Sequence, residues 1–201
     1  VFLRSLGYDS ILQAKLGDSV EKEVTVLFSD IRGYTTLSES MSPDENFRFL
    51  NKYLGQMGPG IQENGGFVNQ YYGDGIMALF LESPADALKA ARVMLTQLEI
   101  YNESRIQAGK KPIAIGIGLH TGPLMMGIIG DTLRLEAGVV SDTVNTAARM
   151  EGLTKFYQSR LLLSGRTWKG VELGDRLEIR LLGKVQVKGR QEPVAVYDCY
   201  S

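Results

Sequence analysis

Two acidic residues stand at the ends of apolar runs. Asp30 closes the apolar, β-branched stretch "VTVLFSD" that starts at Val24, and Asp74 lies between two glycines in "YYGDGIMALF". Alone, each has an ordinary explanation: Asp30 as a strand-end or helix-capping residue, Asp74 as the small polar residue that a tight turn wants. Brought together they would repel, and the usual compensation in phosphate chemistry is a divalent cation, or a pair about 3.5–4 Å apart. Further on, Asn145 and Arg149 in "SDTVNTAARMEGL" are four apart, hence on one face of a helix. That face reads either as a solvated one or as a nucleotide-binding one, with Arg forking onto phosphate oxygens and the amide orienting a sugar. Gln70 precedes Asp74 by four, an even spacing that puts both on one side of an unbroken strand. Lys188, in "VKGRQEP", reads by itself as a solvated loop cation. His120 has no second histidine with which to build a metal site, and a structural role is expected.

Other chemistries are excluded by what is missing. There is no glycine-rich phosphate loop of the Walker or dinucleotide type, since the glycines of "GIGLHTGP" fall in a strand at the wrong spacing. No GxSxG elbow accompanies the histidine. The single cysteine, Cys199, rules out a disulfide framework and a Cys-based metal site, and points to a reducing, cytoplasmic compartment. A net charge of −1 gives no pull toward nucleic acid or a membrane surface. No apolar run approaches the roughly 20 residues of a membrane span. The sequence opens at Val1 with neither methionine nor a signal-like segment, and is expected to be part of a longer chain.

The elements that must position these residues follow from periodicity and punctuation. Residues 1–20 read as a helical lead-in and charged link from an upstream regulatory region, and 21–201 as one domain. Residues 24–31 form a buried strand. A helix then starts with Ser42 as N-cap, Pro43 at the first position and Glu45 completing a capping box. Its expected apolar stripe is Phe47, Leu50, Leu54, Met57 and Ile61, with a kink at Gly58-Pro59-Gly60 and a stop at Gly65-Gly66. "FVNQYY" and "IMALFL" form a hairpin around Gly-Asp-Gly, and Ser83-Pro84 opens a second helix. Residues 113–122 and 123–130 read as a further strand pair, 139–153 as a helix, and the tail as short strands. The order is βαββαβ with a β-rich C-terminal extension: an α+β, ferredoxin-like or palm core with an antiparallel sheet and helices on one face. In that topology the first strand lies beside the hairpin, so Asp30 and Asp74 converge.

With "VTVLFSDIRGYTTLSE", "QYYGDGIMALF", "GIGLHTGP", "SDTVNTAARMEGL" and "VQVKGRQEPVAVY" in this order, the sequence resembles the class III nucleotidyl cyclase catalytic domain, cyanobacterial type. The resemblance covers about Val24 to Tyr197. It implies that Asp30 and Asp74, with the Ile31 carbonyl, hold two divalent cations, Mg2+ or Mn2+. It implies that Asn145 orients the ribose, that Arg149 stabilises the transition state, and that Lys188 meets the triphosphate together with the Gly33, Tyr34 and Thr35 segment. It further implies a head-to-tail homodimer with shared sites, aspartates from one subunit and the Asn/Arg helix from the other. The reaction implied is attack of the ribose 3′-oxygen on the α-phosphorus of a nucleoside triphosphate, releasing pyrophosphate.

Two positions depart from the adenylyl pattern. Gln70 stands where adenylyl cyclases carry Lys and guanylyl cyclases Glu, and Gly138 where adenylyl cyclases carry Asp or Thr and guanylyl cyclases something small. A Gln amide can pair with the edge of either purine, and it is the neutral isostere of Glu. The balance favours GTP, or dual use, over strict use of ATP. The rivals are a pseudo-cyclase that only binds nucleotide or dimerises, a diguanylate cyclase, for which no GGDEF-like signature exists at the hairpin, and a purely structural α+β domain.

Overall fold

The computed structural model describes Gly7 and residues 15–130, 135–171, 178–187 and 192–200. The expected lead-in helix falls largely outside them, as do Lys188 and Arg190. In chain order the elements are β1 (Ser19–Ile31), α1 (Tyr34–Glu39), α2 (Pro43–Glu63), β2 (Phe67–Tyr72), β3 (Gly75–Phe80), α3 (Pro84–Gln107) and β4 (Ile115–Gly130). There follow β5 (Leu135–Val140), α4 (Asp142–Phe156), β6 (Leu161–Ser164), α5 (Gly165–Lys169), β7 (Ile179–Val185) and β8 (Val194–Cys199). The sheet runs β2-β3-β1-β4-β6-β8-β7, with β5 paired to the far end of β4. Every pairing is antiparallel except β4 with β6. The βαββαβ core and the β-rich extension are as expected.

Helices cover both faces of the sheet, not one. Leu27, Ile31, Ile76, Ala78, Phe80, Ile117 and Leu119 pack under α2 and α3. On the other face Val24, Val26, Met77, Leu79, Leu124 and Met126 form a separate cluster with Ala147 of α4. The glycines of "GIGLHTG" explain how α4 comes so near. Gly118 faces α4 where a Cβ would overlap the backbone nitrogen of Glu151 and the carbonyl carbon of Met150, and Gly122 faces the Thr143 hydroxyl. These glycines thin one face of β4 so that a helix backbone can lie on it.

The local signals act as expected at α2. Ser42 accepts from the Glu45 N–H while Glu45 accepts from the Ser42 N–H. At its other end Gly65 holds φ 77, the Gly65 N–H donates to Gln62 O and the Gly66 N–H to Ile61 O, a complete Schellman motif. The buried stripe differs from the expected one by rotation. It is Phe49, Tyr53, Met57 and Ile61, strictly four apart, with Leu50 and Leu54 at its margin; Phe47 is 68% exposed. Helix α2 runs through Gly58-Pro59-Gly60, and Gly60 lets Val93 of α3 approach its backbone.

Three boundaries also move. Strand β1 begins at Ser19, because its charged start pairs with Met125, Met126 and Gly127 on the outer part of β4. The two strands expected at 113–130 are one strand through Pro123. Pro123 O accepts from Ser141 Oγ at 2.5 Å and Thr143 Oγ1 at 2.8 Å. Since a residue's N and C=O point to the same side of a strand, the missing N–H of Pro123 faces the gap between β6 and β5, where no ladder bond is lost. Val139 and Val140 belong to β5, and α4 starts only after Ser141, whose hydroxyl accepts from Thr143 N–H at 2.9 Å.

Gly118→Ala is expected to destabilise the domain by about 1–3 kcal/mol through overpacking against α4. At this chain length that corresponds to a fall of roughly 2–4 °C in Tm per kcal/mol, read by thermal unfolding.

Candidate active site

The end of β1 and the turn between β2 and β3 meet because β1 pairs with β3, from Thr25 opposite Phe80 to Ser29 opposite Ile76. The two-residue turn, Gly73 at φ 65 and then Asp74, closes on the Tyr72–Gly75 pair. Asp74 is therefore a turn residue whose carboxylate is pressed against the β1 terminus. A single amide receives both acids: Ile31 N–H donates to Asp30 Oδ1 at 3.1 Å and to Asp74 Oδ2 at 3.0 Å. The expected convergence is present.

The two acids differ in their surroundings. Asp30 is exposed, whereas Asp74 is only 8% exposed. Burial, then the adjoining Asp30 carboxyl and its charge, push the Asp74 carboxyl up to about 7, against the pull of the Ile31 amide. Also buried are Ser29 Oγ and the Tyr53 hydroxyl, which face each other. Burial pushes the Tyr53 hydroxyl above its usual range, and the Asp74 and Asp30 carboxylates add to it. This is an uncompensated negative centre, and it fits a hard cation. Among the described residues no group of three or more His, Cys, Asp or Glu side chains is placed to hold a metal. A cation held by Asp30, Asp74 and the Ile31 carbonyl would need further oxygens from the substrate.

Next to the acids, Arg32 turns back across the sheet. Its Nη1 donates to Glu151 Oε1 at 3.3 Å and its Nη2 to the Thr154 hydroxyl, joining the end of β1 to α4. Gly116, the register partner of Asp30, makes room for it, since a Cβ there would overlap the guanidinium. Burial and the Asp30 charge raise the Glu151 carboxyl above the usual carboxylate range, with Arg32 and Lys155 opposing. Neither Arg32 nor Glu151 was among the expected site residues. The signal available was an arginine two residues past Asp30 and an acid on the same helix as Arg149, which only the fold connects.

Asn145 and Arg149 are both exposed, on the side of α4 away from the sheet. With Ala148, Gly152, Leu153 and Phe156 they line an open depression of about 510 Å³. The structure brings Asn145 and Arg149 together, and Asp30 and Asp74 together, but the body of α4 separates the two pairs. Gln70 is exposed on the edge strand β2, opposite Met77. The even-spacing argument for it fails, because β2 ends at Tyr72 and Asp74 lies in the turn, not in a strand. Gly138, in β5, pairs with Gly127, and a Cβ there would overlap the Ile129 side chain. Gly33 takes φ 65 ahead of α1. The Tyr34 hydroxyl donates to Asn46 Oδ1 at 2.9 Å and its ring stacks on Phe49, while Thr35 is exposed. His120 is buried, its Nδ1 2.7 Å from Ser164 Oγ in a hydroxyl chain that continues through Thr167 and Thr121 to Thr25.

The raised Asp74 carboxyl has a stability consequence with a definite sign. A carboxyl whose folded value lies above its unfolded one stabilises below the unfolded value, near 4, and loses that contribution as pH rises through about 7. Asp74→Asn should therefore gain on the unsubstituted, metal-free protein by several °C in Tm, on the order of 2–4 °C per kcal/mol, between about pH 4 and pH 8. Millimolar Mn2+ should remove that gain by binding the ionised pair. Parallel melting curves against pH, with and without the cation, check both statements.

Residues 18–198 match the family profile described as the adenylate and guanylate cyclase catalytic domain. An "Adenylate cyclase" of Anabaena cylindrica is 41% identical over 98% of this chain, which spans 40% of that relative's length. The crystal structure of the guanylyl cyclase Cya2 is similar with a TM-score of 0.76 and 34% identity, covering 90% of this chain and 93% of that one. That of the adenylyl cyclase CyaB from P. aeruginosa is similar with a TM-score of 0.77 and 29% identity, covering 91% of this chain and 96% of that one. With its paired aspartates at the β1–β3 junction and its Asn/Arg helix face, this chain belongs to the adenylate and guanylate cyclase catalytic domain family.

Proposed function

We propose that this domain converts a purine nucleoside triphosphate to its 3′,5′-cyclic monophosphate and pyrophosphate, at sites shared between two copies of the chain. The observation that carries the reading is the convergence of Asp30 and Asp74 on one amide, with Asn145 and Arg149 exposed on the far side of α4. Each half is built and charged, and each lacks the other. A head-to-tail pair supplies the complement, two sites per dimer.

Divalent cations, Mg2+ or Mn2+, on Asp30, Asp74 and the Ile31 carbonyl would lower the pKa of the attacking hydroxyl and balance the charge of the phosphates. The chain's own groups do the rest. Asn145 holds the ribose so that its 3′-oxygen lies in line with the α-phosphorus. Arg149 places a fork of donors where negative charge grows in the transition state. The O3′–H bond breaks with its proton passing to water, the bond from O3′ to the α-phosphorus forms, the bond to the bridging oxygen breaks, and pyrophosphate leaves with the charge. Lys188 and the turn at Gly33, Tyr34 and Thr35 are proposed to meet the triphosphate. The Tyr34 side chain is committed to Asn46 and Phe49, so that turn would act through its backbone.

The base subsite is assigned to Gln70 and Gly138. Gln70 can donate to O6 and accept from N1–H of guanine, or, flipped, donate to N1 and accept from the 6-amino group of adenine. Gly138 offers no polar side chain, and the neighbouring Ile129 makes that wall apolar. This supports GTP, or both purines. A second reading, ATP alone, is favoured by the name of the Anabaena relative. The purified protein with Mn2+ and each nucleotide separates them: an ATP preference above about tenfold, roughly 1.4 kcal/mol, overturns the GTP assignment.

Asp30→Ala and Arg149→Ala should each abolish turnover as homodimers, by more than about 100-fold. Mixed together, the two inactive proteins should recover part of the activity through the one intact site. Unchanged turnover in Asp30→Ala would refute the metal assignment, whereas no turnover by the unsubstituted dimer with either nucleotide would favour the pseudo-cyclase reading.

A further inference from the structure

The guanidinium of Arg32 has no part in the reaction as derived, yet the structure builds a place for it. It leaves β1 two residues after Asp30, crosses over Gly116, and ends on Glu151 and the Thr154 hydroxyl of α4. Both charged side chains are largely enclosed, 23% and 15% exposed for Arg32 and Glu151. Arg160 and Glu99, by contrast, form a pair 54% and 60% exposed. Thr154 is itself fixed, its hydroxyl donating to the Glu151 carbonyl. A planar fork held at two points at this depth transmits position better than a single exposed contact.

We propose that Arg32 is a positioning residue that fixes α4 to the carboxylate end of β1, so that the metal half of one active site and the Asn145/Arg149 half of the other are held as a single body. The proposal rests on the shared-site reading above, and deepens it. In a head-to-tail dimer, the Asp30 and the α4 of one chain serve different substrates. Arg32 thus lies between two sites and touches neither substrate, and its loss disturbs both.

The test uses a mixed dimer of differently tagged chains. One chain carries Asp30→Ala and the other Arg149→Ala, leaving one working site made of the second chain's carboxylates and the first chain's helix. Arg32→Ala is then added to one chain at a time. In the chain that supplies the carboxylates, it should raise the Mn2+ concentration for half-maximal activity. In the chain that supplies the helix, whose own carboxylate site is already disabled, it should still lower kcat by about tenfold or more, the cost of a displacement on the order of an ångström. No change in that second arm overturns the proposal. A merely structural pair would lower Tm alike in both arms and leave kcat of the folded dimer unchanged, which also overturns it. Arg32→Lys, which keeps the charge without the fork, replaces Arg32→Ala if the latter does not fold, and should show the same pattern in smaller measure. If the mixed dimer is inactive before Arg32 is touched, the shared-site reading has failed instead. Arg32 is then judged by a double-mutant cycle on kcat/KM with Glu151→Gln in the homodimer. A double variant no worse than the worse single one supports positioning through Glu151, and additive losses overturn it.

Discussion

The structure depends on forcing two carboxylates against each other. Asp30 and Asp74 do not meet through any attraction of their own. The pairing of β1 with β3 puts the strand end and the hairpin turn side by side, and the Ile31 amide is the one donor they share. An arrangement of that kind is unfavourable until something positive joins it, and the cost is met by the burial of β3, every residue of which lies in the core. The strained electrostatics are thus held by apolar packing on both faces of the sheet. The buried hydroxyls of Tyr53 and Ser29 face each other next to the pair, and the Asp74 and Asp30 charges push the Tyr53 hydroxyl up further.

The second constraint is the distance between α4 and β4. Gly116, Gly118 and Gly122 alternate along one face of the strand, each where a side chain would strike Arg32 and Thr154, the α4 backbone, or Thr143. With these positions bare, the helix lies on the sheet and turns its outer side, with Asn145 and Arg149, toward solvent. The same thin layer lets Arg32 reach from β1 to Glu151. Fold and site therefore share a cause: glycines that carry no chemistry decide where the residues that do will stand.

Much of this was legible in the sequence where the signal is local. The capping box at Ser42, the Schellman stop at Gly65-Gly66, the Gly-Asp-Gly turn and the helix-face pairing of Asn145 with Arg149 each depend on residues a few positions apart. The failures are all non-local. The boundary expected between residues 122 and 123 is absent, because the missing N–H of Pro123 faces a gap in the ladder that only the fold creates. Phe47 was placed inside because a stripe one position away is nearly as periodic, and only the packing of α3 selects Phe49 and Tyr53. Helices lie on both faces and not on one because the bare glycines of β4 admit α4, which element order does not tell. Arg32 and Glu151, 119 residues apart, carry no joint signal until the fold brings them together.

The base edge shows how little of selectivity need be written in polar side chains. Under the proposed reading, Gly138 lies where adenylyl cyclases carry Asp or Thr and guanylyl cyclases something small, and here Ile129 fills the space above it. A site with an apolar wall on that side cannot reject the wrong purine by leaving its own donor unpaired, which is the strongest means of discrimination available to a protein. The choice then falls to Gln70, whose amide can turn over between two pairings of similar quality. Its setting does not fix that orientation: Gln70 is exposed, on an edge strand, directly after a bulge. An amide free to rotate should discriminate weakly. The argument thus favours tolerance of both bases over strict selection of one, and it makes the surroundings of Gln70 in the assembled dimer, more than Gln70 itself, the place where any real preference would have to arise.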